Sequence, residues 1–320
     1  MNPMRSLGAA VALISLVAAA GCGSSGEPKS ANGLEKTELR IGTLPIVDDA
    51  PFYIALRDGL FAKQGLHVRP VTLANGAEGL VRLMSGNVDL AWTSYPTVIV
   101  AAESGVAKPR IVVDGYATTR HLFPVLALPS SPLRTRADLT GKKISVNSQK
   151  GLGPLLLSAA GIAPTSVKMT EIPFPNMPAA LQSHAVDAIW VTEPFATQTV
   201  EKTHAREIVD TSSGAADDLP IAGFTAASRT VARYPKTLAA FRRAMAQAQR
   251  IAQDRKQVEK ILPTYVRGLT PQTASRIVIG HFATSTDPAK LQRVPDLMQK
   301  YGLIKQHLDI HDLLPAGLPG

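Results

Sequence analysis

The chain contains one pattern twice, Val-Asp-x-x-Trp-x-x-x-Pro, at residues 88–96 and again 98 positions later at residues 186–194. In each copy a helical pattern ends, an apolar strand follows a tight turn, and a proline stands where a new helix would begin. Ligands of α/β proteins bind beyond the carboxyl ends of the strands. Those positions are residues 93–95 in the first copy and 191–193 in the second. The repeat therefore predicts two lobes of similar build, with a ligand site between them.

Short apolar runs alternate with helical patterns on both sides of the repeat. Predicted strands cover residues 39–44, 66–73, 88–92, 143–146, 167–172 and 186–191. Predicted helices cover residues 51–61, 77–85, 154–160, 177–183 and 194–202, and the pattern is almost purely helical from residue 228 onward. This rhythm is typical of an α/β fold in which each lobe holds a mostly parallel sheet flanked by helices.

Residues 1–21 are typical of a secretory signal peptide, because Arg5 precedes an apolar run that is too short to span a bilayer. Cys22 is the only cysteine, so it cannot take part in an internal disulfide. The stretch before it resembles a bacterial lipobox, which implies that Cys22 carries a lipid. Ordinary cleavage after residues 18–20, leaving an incidental thiol, is the alternative. Residues 22–37 are predicted to be the lipidated cysteine and a flexible tether that holds an exported protein on the outer face of the cytoplasmic membrane, at the cell surface or in the periplasm.

Composition and charge narrow the function classes. The chain has 320 residues, 45% of them hydrophobic and 18% charged, which fits a folded protein of about two domains. The net charge is +9, and residues 223–320 carry fifteen basic but only six acidic side chains. This segment has neither aromatic platforms nor a nucleic-acid-binding module, so we interpret it as a solvated basic surface and expect no nucleic-acid partner.

A more specific resemblance covers about residues 38–305 and is collinear with a known family. It is carried by LRIGTLPIVDDAPFYIALRDGLFAKQGLHVRPV, LMSGNVDLAW, DLTGKKISVNSQKG and PFPNMPAALQSHAVDAIWVTEPF. These stretches resemble the solute-binding proteins of ABC importers for nitrate, aliphatic sulfonates, taurine and thiamine pyrimidine precursors. The resemblance implies a type II periplasmic-binding-protein fold, whose two lobes close on a ligand in the cleft between them.

The resemblance also implies the lobe boundaries and the partners. The first lobe would comprise residues 38–124 plus 224–320 and the second residues 125–223, with crossing segments near residues 123–128 and 220–225. A monomeric receptor would capture a small molecule and deliver it to an ABC permease and its ATPase.

The candidate ligand contacts follow the strands of each predicted lobe. They are Asp49, Thr93, Ser94 and Tyr95 in the first lobe, and Asn147, Ser148, Gln149, Lys150, Thr192 and Glu193 in the second. Asp49 precedes the first helix, where an acidic residue can bind a ligand or cap the helix, and its neighbour Asp48 is interpreted as a cap. Tyr95 and Glu193 precede equivalent prolines, so each is either an N-cap or a ligand contact. Tyrosine is a poor N-cap, which favours contact.

Residues 147–151 connect a strand to a helix. Backbone N–H groups at such a helix start, with Lys150 beside them, are suited to an anion, although an ordinary polar loop has the same composition. The resemblance supports Ser148 and Gln149 as ligand contacts, because family members that bind sulfonates contact the ligand through this loop. Both tryptophans, Trp92 and Trp190, are predicted to belong to the core.

Taken together, the candidates predict a small polar organic ligand. Asp49 and Glu193 favour an amine or amino-heterocycle, whereas Lys150 and the helix N-termini favour a sulfonate or carboxylate. A taurine-like zwitterion or an aminopyrimidine would satisfy both. The chain has no HExxH, no nucleophile elbow, no metal-ligand spacing and no Walker loop. We therefore expect no catalysis, cofactor or metal, with an extracytoplasmic enzyme or a ligand-sensing partner of a membrane receptor as alternatives.

Overall fold

The computed structural model describes residues 33–105 and 108–315, and within them the chain forms two β-sheets flanked by helices. The strands are β1 Glu38–Thr43, β2 His67–Thr72, β3 Leu90–Ser94, β4 Pro109–Ala117, β5 Pro124–Ala127, β6 Lys143–Val146, β7 Lys168–Glu171, β8 Ala188–Trp190, β9 Arg206–Asp210, β10 Pro220–Ala227 and β11 His281–Phe282. The helices are α1 Ala50–Arg57, α2 Leu60–Lys63, α3 Gly76–Ser85, α4 Tyr95–Glu103, α5 Leu152–Ala159, α6 Met177–Gln182, α7 Phe195–Thr203, α8 Ser228–Arg233, α9 Pro235–Ile251, α10 Arg255–Ile261, α11 Pro271–Ala274 and α12 Pro288–Lys300. The predicted α/β class is confirmed.

Both sheets are mixed rather than mostly parallel. The first has the strand order β11-β4-β10-β3-β1-β2 and the second β7-β6-β8-β5-β9. In each sheet the parallel strands are those of the repeated unit, β1, β2 and β3 in one and β6, β7 and β8 in the other. Strands β10 and β5 run antiparallel to their neighbours. The sequence pattern missed these strands because they come directly after the chain crosses between the sheets.

The chain crosses between the sheets at residues 118–123 and 211–219, earlier than the sequence predicted. The predicted crossings coincide instead with strands, since Pro124–Ala127 is β5 of the second sheet and Pro220–Ala227 is β10 of the first. The two crossings are joined by hydrogen bonds. The Thr118 N–H donates to the Leu219 carbonyl at 2.9 Å, and the Thr211 hydroxyl donates to the Phe123 carbonyl at 2.6 Å. The pair therefore forms one hydrogen-bonded connection between the lobes.

The aspartates of the repeat, Asp89 and Asp187, connect equivalent neighbouring strands in the two sheets. The Asp89 carboxylate accepts the N–H of Arg40 in β1 at 2.9 Å. The Asp187 carboxylate accepts the N–H of Lys143 in β6 at 2.8 Å. Each aspartate thus satisfies a main-chain donor at the start of the neighbouring parallel strand, which explains why both copies keep this residue.

Residues 33–37 correct the prediction that the flexible tether extends to residue 37. Leu34 is only 6% exposed, and the Glu35 carboxylate accepts the N–H groups of Lys236 and Thr237 at 3.1 and 2.9 Å. Those two N–H groups belong to the first turn of α9, where donors lack helical partners and a negative charge is favoured. The segment is therefore fixed on the first lobe. The rest of the predicted tether, with Cys22 and the signal peptide, lies outside the described residues.

The C-terminal helices return to the first sheet. Phe241 of α9 stacks on Phe61 of α2 with ring centroids 5.2 Å apart, and both rings are buried. At the far edge of that sheet, β2 pairs with β1 alone and exposes Arg69 and Pro70. None of the helices in residues 33–105 and 108–315 is long and apolar enough to cross a membrane.

Candidate ligand-binding site

A small cavity lies between the two sheets, where parallel strands of both lobes end. The first lobe lines it with Asp48, Gly76, Trp92 and Ser94, among others. The second lobe contributes Asn147 and Ser148, which follow β6, and residues of the crossing and of α5 complete the wall. Its volume of ≈ 30 Å³ would hold about two water molecules. This interlobe cavity is where the fold places a ligand, because it lies beyond the carboxyl ends of β1, β3 and β6.

Direct contacts between the lobes flank the cavity. Asn75 donates to Glu171 at 3.3 Å, and the Val47 N–H donates to the Glu193 carbonyl at 3.2 Å. Glu201 of α7 accepts from the Thr273 hydroxyl at 2.8 Å. The lobes are therefore in contact around the cavity.

Asp48 is the residue whose environment most needs explanation. It is 3% exposed, it lines the interlobe cavity, and its Oδ1 atom has no hydrogen-bond partner among the described residues. Burial raises the pKa of Asp48 to about 7. The predicted capping role is wrong for α1, because the N-cap position of that helix is Asp49, and no side-chain cap bond is made there. The position of Asp48 in the loop between the first strand and the first helix was a signal that the sequence offered.

Asp49 lies behind the cavity rather than among its lining residues. Its Oδ2 atom accepts the Leu44 N–H at 2.6 Å, and its buried Oδ1 atom has no partner among the described residues. Burial raises the pKa of Asp49 well above its usual value. The hydrogen bond from Leu44 opposes this increase, and the charge of the nearby Asp48 adds to it. The carboxyl group braces the β1–α1 loop that carries Asp48, and ligand binding by Asp49 stays a prediction.

The three candidate residues at the end of β3 and the start of α4 differ in whether they line the cavity. Ser94 lines the interlobe cavity, and its hydroxyl lies 2.8 Å from that of Thr97. The Thr93 hydroxyl is buried and lies 2.9 Å from the Thr225 hydroxyl on the neighbouring strand. Tyr95 is fully buried, and its hydroxyl donates to the Asp114 carboxylate on β4. The structure thus brings only Ser94 of the three to the cavity. Tyr95 stands at the start of α4 because it links that helix to β4.

Only part of the loop at residues 147–151 lines the cavity. Asn147 and Ser148 line the interlobe cavity. Gln149 and Lys150 are exposed and do not line it. The Gln149 N–H donates to the Glu171 carboxylate at 3.2 Å, and its side chain donates to the Met169 carbonyl at 3.2 Å. The structure therefore places two of the four predicted contacts of this loop at the cavity.

Thr192 and Glu193 are buried near the cavity without lining it. The Thr192 Oγ1 atom has no hydrogen-bond partner among the described residues. The Glu193 carboxylate accepts the Thr197 hydroxyl at 2.7 Å and the Val278 N–H at 3.1 Å. Burial raises the pKa of Glu193, although these hydrogen bonds oppose the change. Glu193 thus joins α7 of the second lobe to the segment that precedes β11 in the first.

Aromatic side chains form an apolar wall that sequence reasoning missed in part. Trp92 is predicted to belong to the core, and it is indeed only 3% exposed and packs edge-on against Phe224 with ring centroids 5.0 Å apart. It also lines the cavity. Phe123 and Phe174 face the same cavity from the second lobe. Phe174 lies in the loop after β7, and that position is a signal that the sequence offered. Trp190 behaves as predicted, since it is fully buried and stacks on Phe123 at 4.8 Å.

The chemistry of the cavity is that of a binding site. It combines one unpartnered carboxyl oxygen with hydroxyl, amide and aromatic groups. No group of three or more His, Cys, Asp or Glu side chains in the described part of the chain could hold a metal ion. These groups suit a small molecule that lies between aromatic side chains and donates hydrogen bonds to Asp48, but the lobes must move apart to admit one, because the cavity has a volume of only ≈ 30 Å³.

Comparison with solved structures shows the fold. The alkanesulfonate-binding protein SsuA from Xanthomonas axonopodis pv. citri, bound to MOPS, is similar with a TM-score of 0.72 and 20% identity, over 88% of this chain and 98% of that one. The periplasmic nitrate-binding protein NrtA from Synechocystis is similar with a TM-score of 0.73 and 18% identity, over 87% and 84%. A Candida albicans protein described as having the generic periplasmic binding protein structural fold is similar with a TM-score of 0.71 and 14% identity, over 88% and 96%. The predicted periplasmic-binding fold is confirmed.

Comparison of sequences supports the same grouping. Over 197 residues the chain is 25% identical to the nitrate/nitrite binding protein NrtA of Nostoc sp., a match that covers 53% of this chain and 43% of that protein. The chain thus spans less than half the length of this curated relative. Residues 47–257 match the family model described as NMT1/THI5 like, which is more than half of the chain and includes Asp48, Ser94 and Ser148. The chain therefore belongs to the NMT1/THI5-like family.

Proposed function

We propose that this protein is the extracytoplasmic solute-binding component of an ABC importer. It binds a small polar organic molecule between its two lobes and delivers it to the permease and ATPase without making or breaking a bond. Two findings support this role: the cavity is lined from both lobes, and the similar proteins are named as binding proteins. A ligand that touches both lobes stabilises their contact, and the permease recognises that state.

The buried Asp48 carboxyl group carries the proposal for the ligand class. A buried carboxyl oxygen without a partner costs free energy unless a ligand donates to it. Nitrate and simple alkanesulfonates have no donor to offer, and Asp48 repels them above about pH 7, where it is ionised. Of the ligands that the sequence suggests, a taurine-like zwitterion or an aminopyrimidine of the thiamine-precursor type presents an amino group to Asp48. The hydroxyl of Ser148 and the amide of Asn147, which face the cavity from the second lobe, then serve the other end of the ligand.

A matched pair of ligands tests this class. Taurine and isethionate differ at one group only: taurine carries an amine where isethionate carries a hydroxyl. The panel of test ligands also contains an aminopyrimidine, riboflavin and nitrate. We expect taurine or the aminopyrimidine to raise the unfolding temperature, with a stabilisation of ~2.7 kcal/mol at a hundred times the dissociation constant. Calorimetric titration of the protein without residues 1–32 gives the affinity. A panel in which no compound binds would contradict the receptor role, whereas tight binding of isethionate or nitrate alone would contradict only the amine.

We also propose that a lipid on Cys22 holds the protein at the membrane. Replacing Cys22 by serine is expected to release the protein into the soluble fraction after cell breakage, because serine cannot accept the lipid through a thioether bond. Immunoblotting of membrane and soluble fractions measures the distribution. Retention of the serine variant in the membrane fraction would contradict the proposed anchor.

A further inference from the structure

A second cavity lies on the first lobe, away from the interlobe cavity. It has a volume of ≈ 440 Å³ and is bounded by β4, by α9 and by the loop at residues 284–286. The two cavities share no lining residue. Ligand pockets usually measure about 300–1,000 Å³, so this one could hold a small organic molecule.

Arg242 provides the charge in this cavity. It lies on the face of α9 formed by Ala239, Arg242, Ala246 and Gln249, where the two alanines leave space on either side of its guanidinium group. Arg242 is half-buried and makes no hydrogen bond or ion pair with the described residues. Burial lowers the pKa of Arg242, and no carboxylate offsets this effect. A partly desolvated cation without a partner costs free energy until an anion binds it.

The helix that carries Arg242 lacks internal counter-charges. The seventeen residues of α9 include Lys236, Arg242, Arg243 and Arg250 but no acidic residue. Arg243, at the rim of the cavity, donates to the Gln64 side chain at 2.8 Å. Asp114 also borders the cavity, but its carboxylate accepts the Tyr95 hydroxyl. The cavity therefore has a net positive lining.

The other walls complete an amphipathic site. Thr284, Ser285 and Thr286 line the side opposite α9, and their hydroxyls make no hydrogen bond within the described residues. The valines of β4, Val112 and Val113, supply an apolar surface. A guanidinium group binds carboxylate and phosphate oxygens through two parallel hydrogen bonds. Hydroxyl groups can donate to the remaining oxygens, while the apolar surface packs against the body of the molecule.

We propose that this cavity is a second ligand site, which binds an organic oxyanion: a carboxylate or phosphate group carried on an apolar body. Arg242 contacts the oxyanion, and the hydroxyls of residues 284–286 surround it. The site is separate from the proposed transport function, because its occupant would bind one lobe and remain outside the interlobe cavity.

Phenyl phosphate and phenol form a matched probe pair for this site. Titration of each into the protein at constant ionic strength, observed through the guanidinium N–H resonances, reports binding at Arg242 itself. We expect phenyl phosphate to shift the Arg242 resonance along a saturable curve that fits one site, and phenol to cause no such shift. Equal binding of phenol, or no saturable shift with phenyl phosphate, would overturn the proposal.

Three variants locate the site. Arg242→Gln should weaken phenyl phosphate binding at least about tenfold, as expected for the loss of a charged hydrogen-bond donor. Ala246→Leu should weaken it by filling the cavity while the charge is kept. Arg250→Gln is the control, because Arg250 is an exposed residue of the same helix that does not line the cavity. An equal loss in Arg250→Gln would show a general charge effect and overturn the site, and all three variants should retain the interlobe ligand's affinity.

Discussion

Replacing Asp48 by asparagine is expected to weaken binding of the interlobe ligand by roughly 10- to 100-fold, because a neutral amide cannot supply a charge-assisted hydrogen bond. The affected ligand is the amine-bearing compound selected from the panel. Calorimetric titration at pH 8 measures the change. Binding of isethionate, whose neutral hydroxyl can donate to Asp48 but carries no positive charge, should change less, so the ratio of the two affinities reports the contribution of the ammonium charge at Asp48.

The same substitution should change how stability depends on pH. Burial raises the pKa of Asp48 from 3.8 to about 7, so between these values the folded protein holds a proton that the unfolded chain has released. The unfolding free energy contributed by this group is fully present below about pH 4 and is lost as the pH rises through 7. The loss corresponds to ~4 kcal/mol. In ligand-free protein, Asp48→Asn should therefore be more stable than the wild type at pH 8, with less difference at pH 5, as measured by urea unfolding.

Asp49→Asn is the matched control for Asp48→Asn. It also removes a buried carboxyl group, yet the asparagine oxygen can still accept the Leu44 N–H, and Asp49 does not line the cavity. We expect its ligand affinity to stay within about threefold of the wild type, since no ligand contact is lost. If Asp49→Asn abolished binding and Asp48→Asn did not, the ligand contact would be Asp49, as the sequence predicts. Equal losses in both variants would contradict a local contact at either residue.

Replacing Trp190 by alanine is expected to destabilise the protein by ~3–5 kcal/mol, because it removes the largest buried side chain of the second lobe and leaves a cavity. The ring stacks on Phe123 with centroids 4.8 Å apart, and its N–H donates to the Thr211 hydroxyl at 3.0 Å. Phe123 and Thr211 stand at the two crossings, so the lobe connection should loosen as well. Urea unfolding at a fixed pH measures the change.

Trp190→Phe separates the packing of Trp190 from its hydrogen bond. Phenylalanine keeps an aromatic ring against Phe123 but loses the donor to Thr211, so we expect a loss of about 1–2 kcal/mol. A destabilisation by Trp190→Ala below about 1.5 kcal/mol would contradict the core role. So would a Trp190→Phe variant that loses as much stability as the alanine variant.

The sequence predicts the fold well where periodicity and position in the repeat agree. The parallel strands of both lobes lie within a few residues of their predicted ranges, because each is a short apolar run next to an amphipathic helix. The antiparallel strands were missed because their orientation depends on which sheet the crossing chain enters. No local pattern in β5 or β10 records that choice.

The sequence predicts which loops form the candidate site, but not which side chains of those loops face the cavity. Strand ends identify the loops that meet at the cavity, and Ser94, Asn147 and Ser148 do line it. Periodicity does not say which of two adjacent side chains faces the cavity, so the sequence predicts a contact at Asp49 whereas Asp48 lines the cavity. Tyr95 and Glu193 are predicted contacts because they precede equivalent prolines at helix starts, where tyrosine is a poor N-cap. The hydrogen-bond partner that explains each residue comes from another part of the chain, Asp114 for Tyr95 and Val278 for Glu193.

The exposed edge of the first sheet bears on self-association. An edge strand presents unpaired N–H and C=O groups that can recruit a strand from another molecule. If the proposed lipid on Cys22 is present, copies of the protein would meet often on the membrane. In β2 the exposed Pro70 has no N–H to offer, and the exposed Arg69 places a charge where a second strand would pair. These two residues oppose edge-to-edge aggregation, which supports the monomer that the sequence predicts.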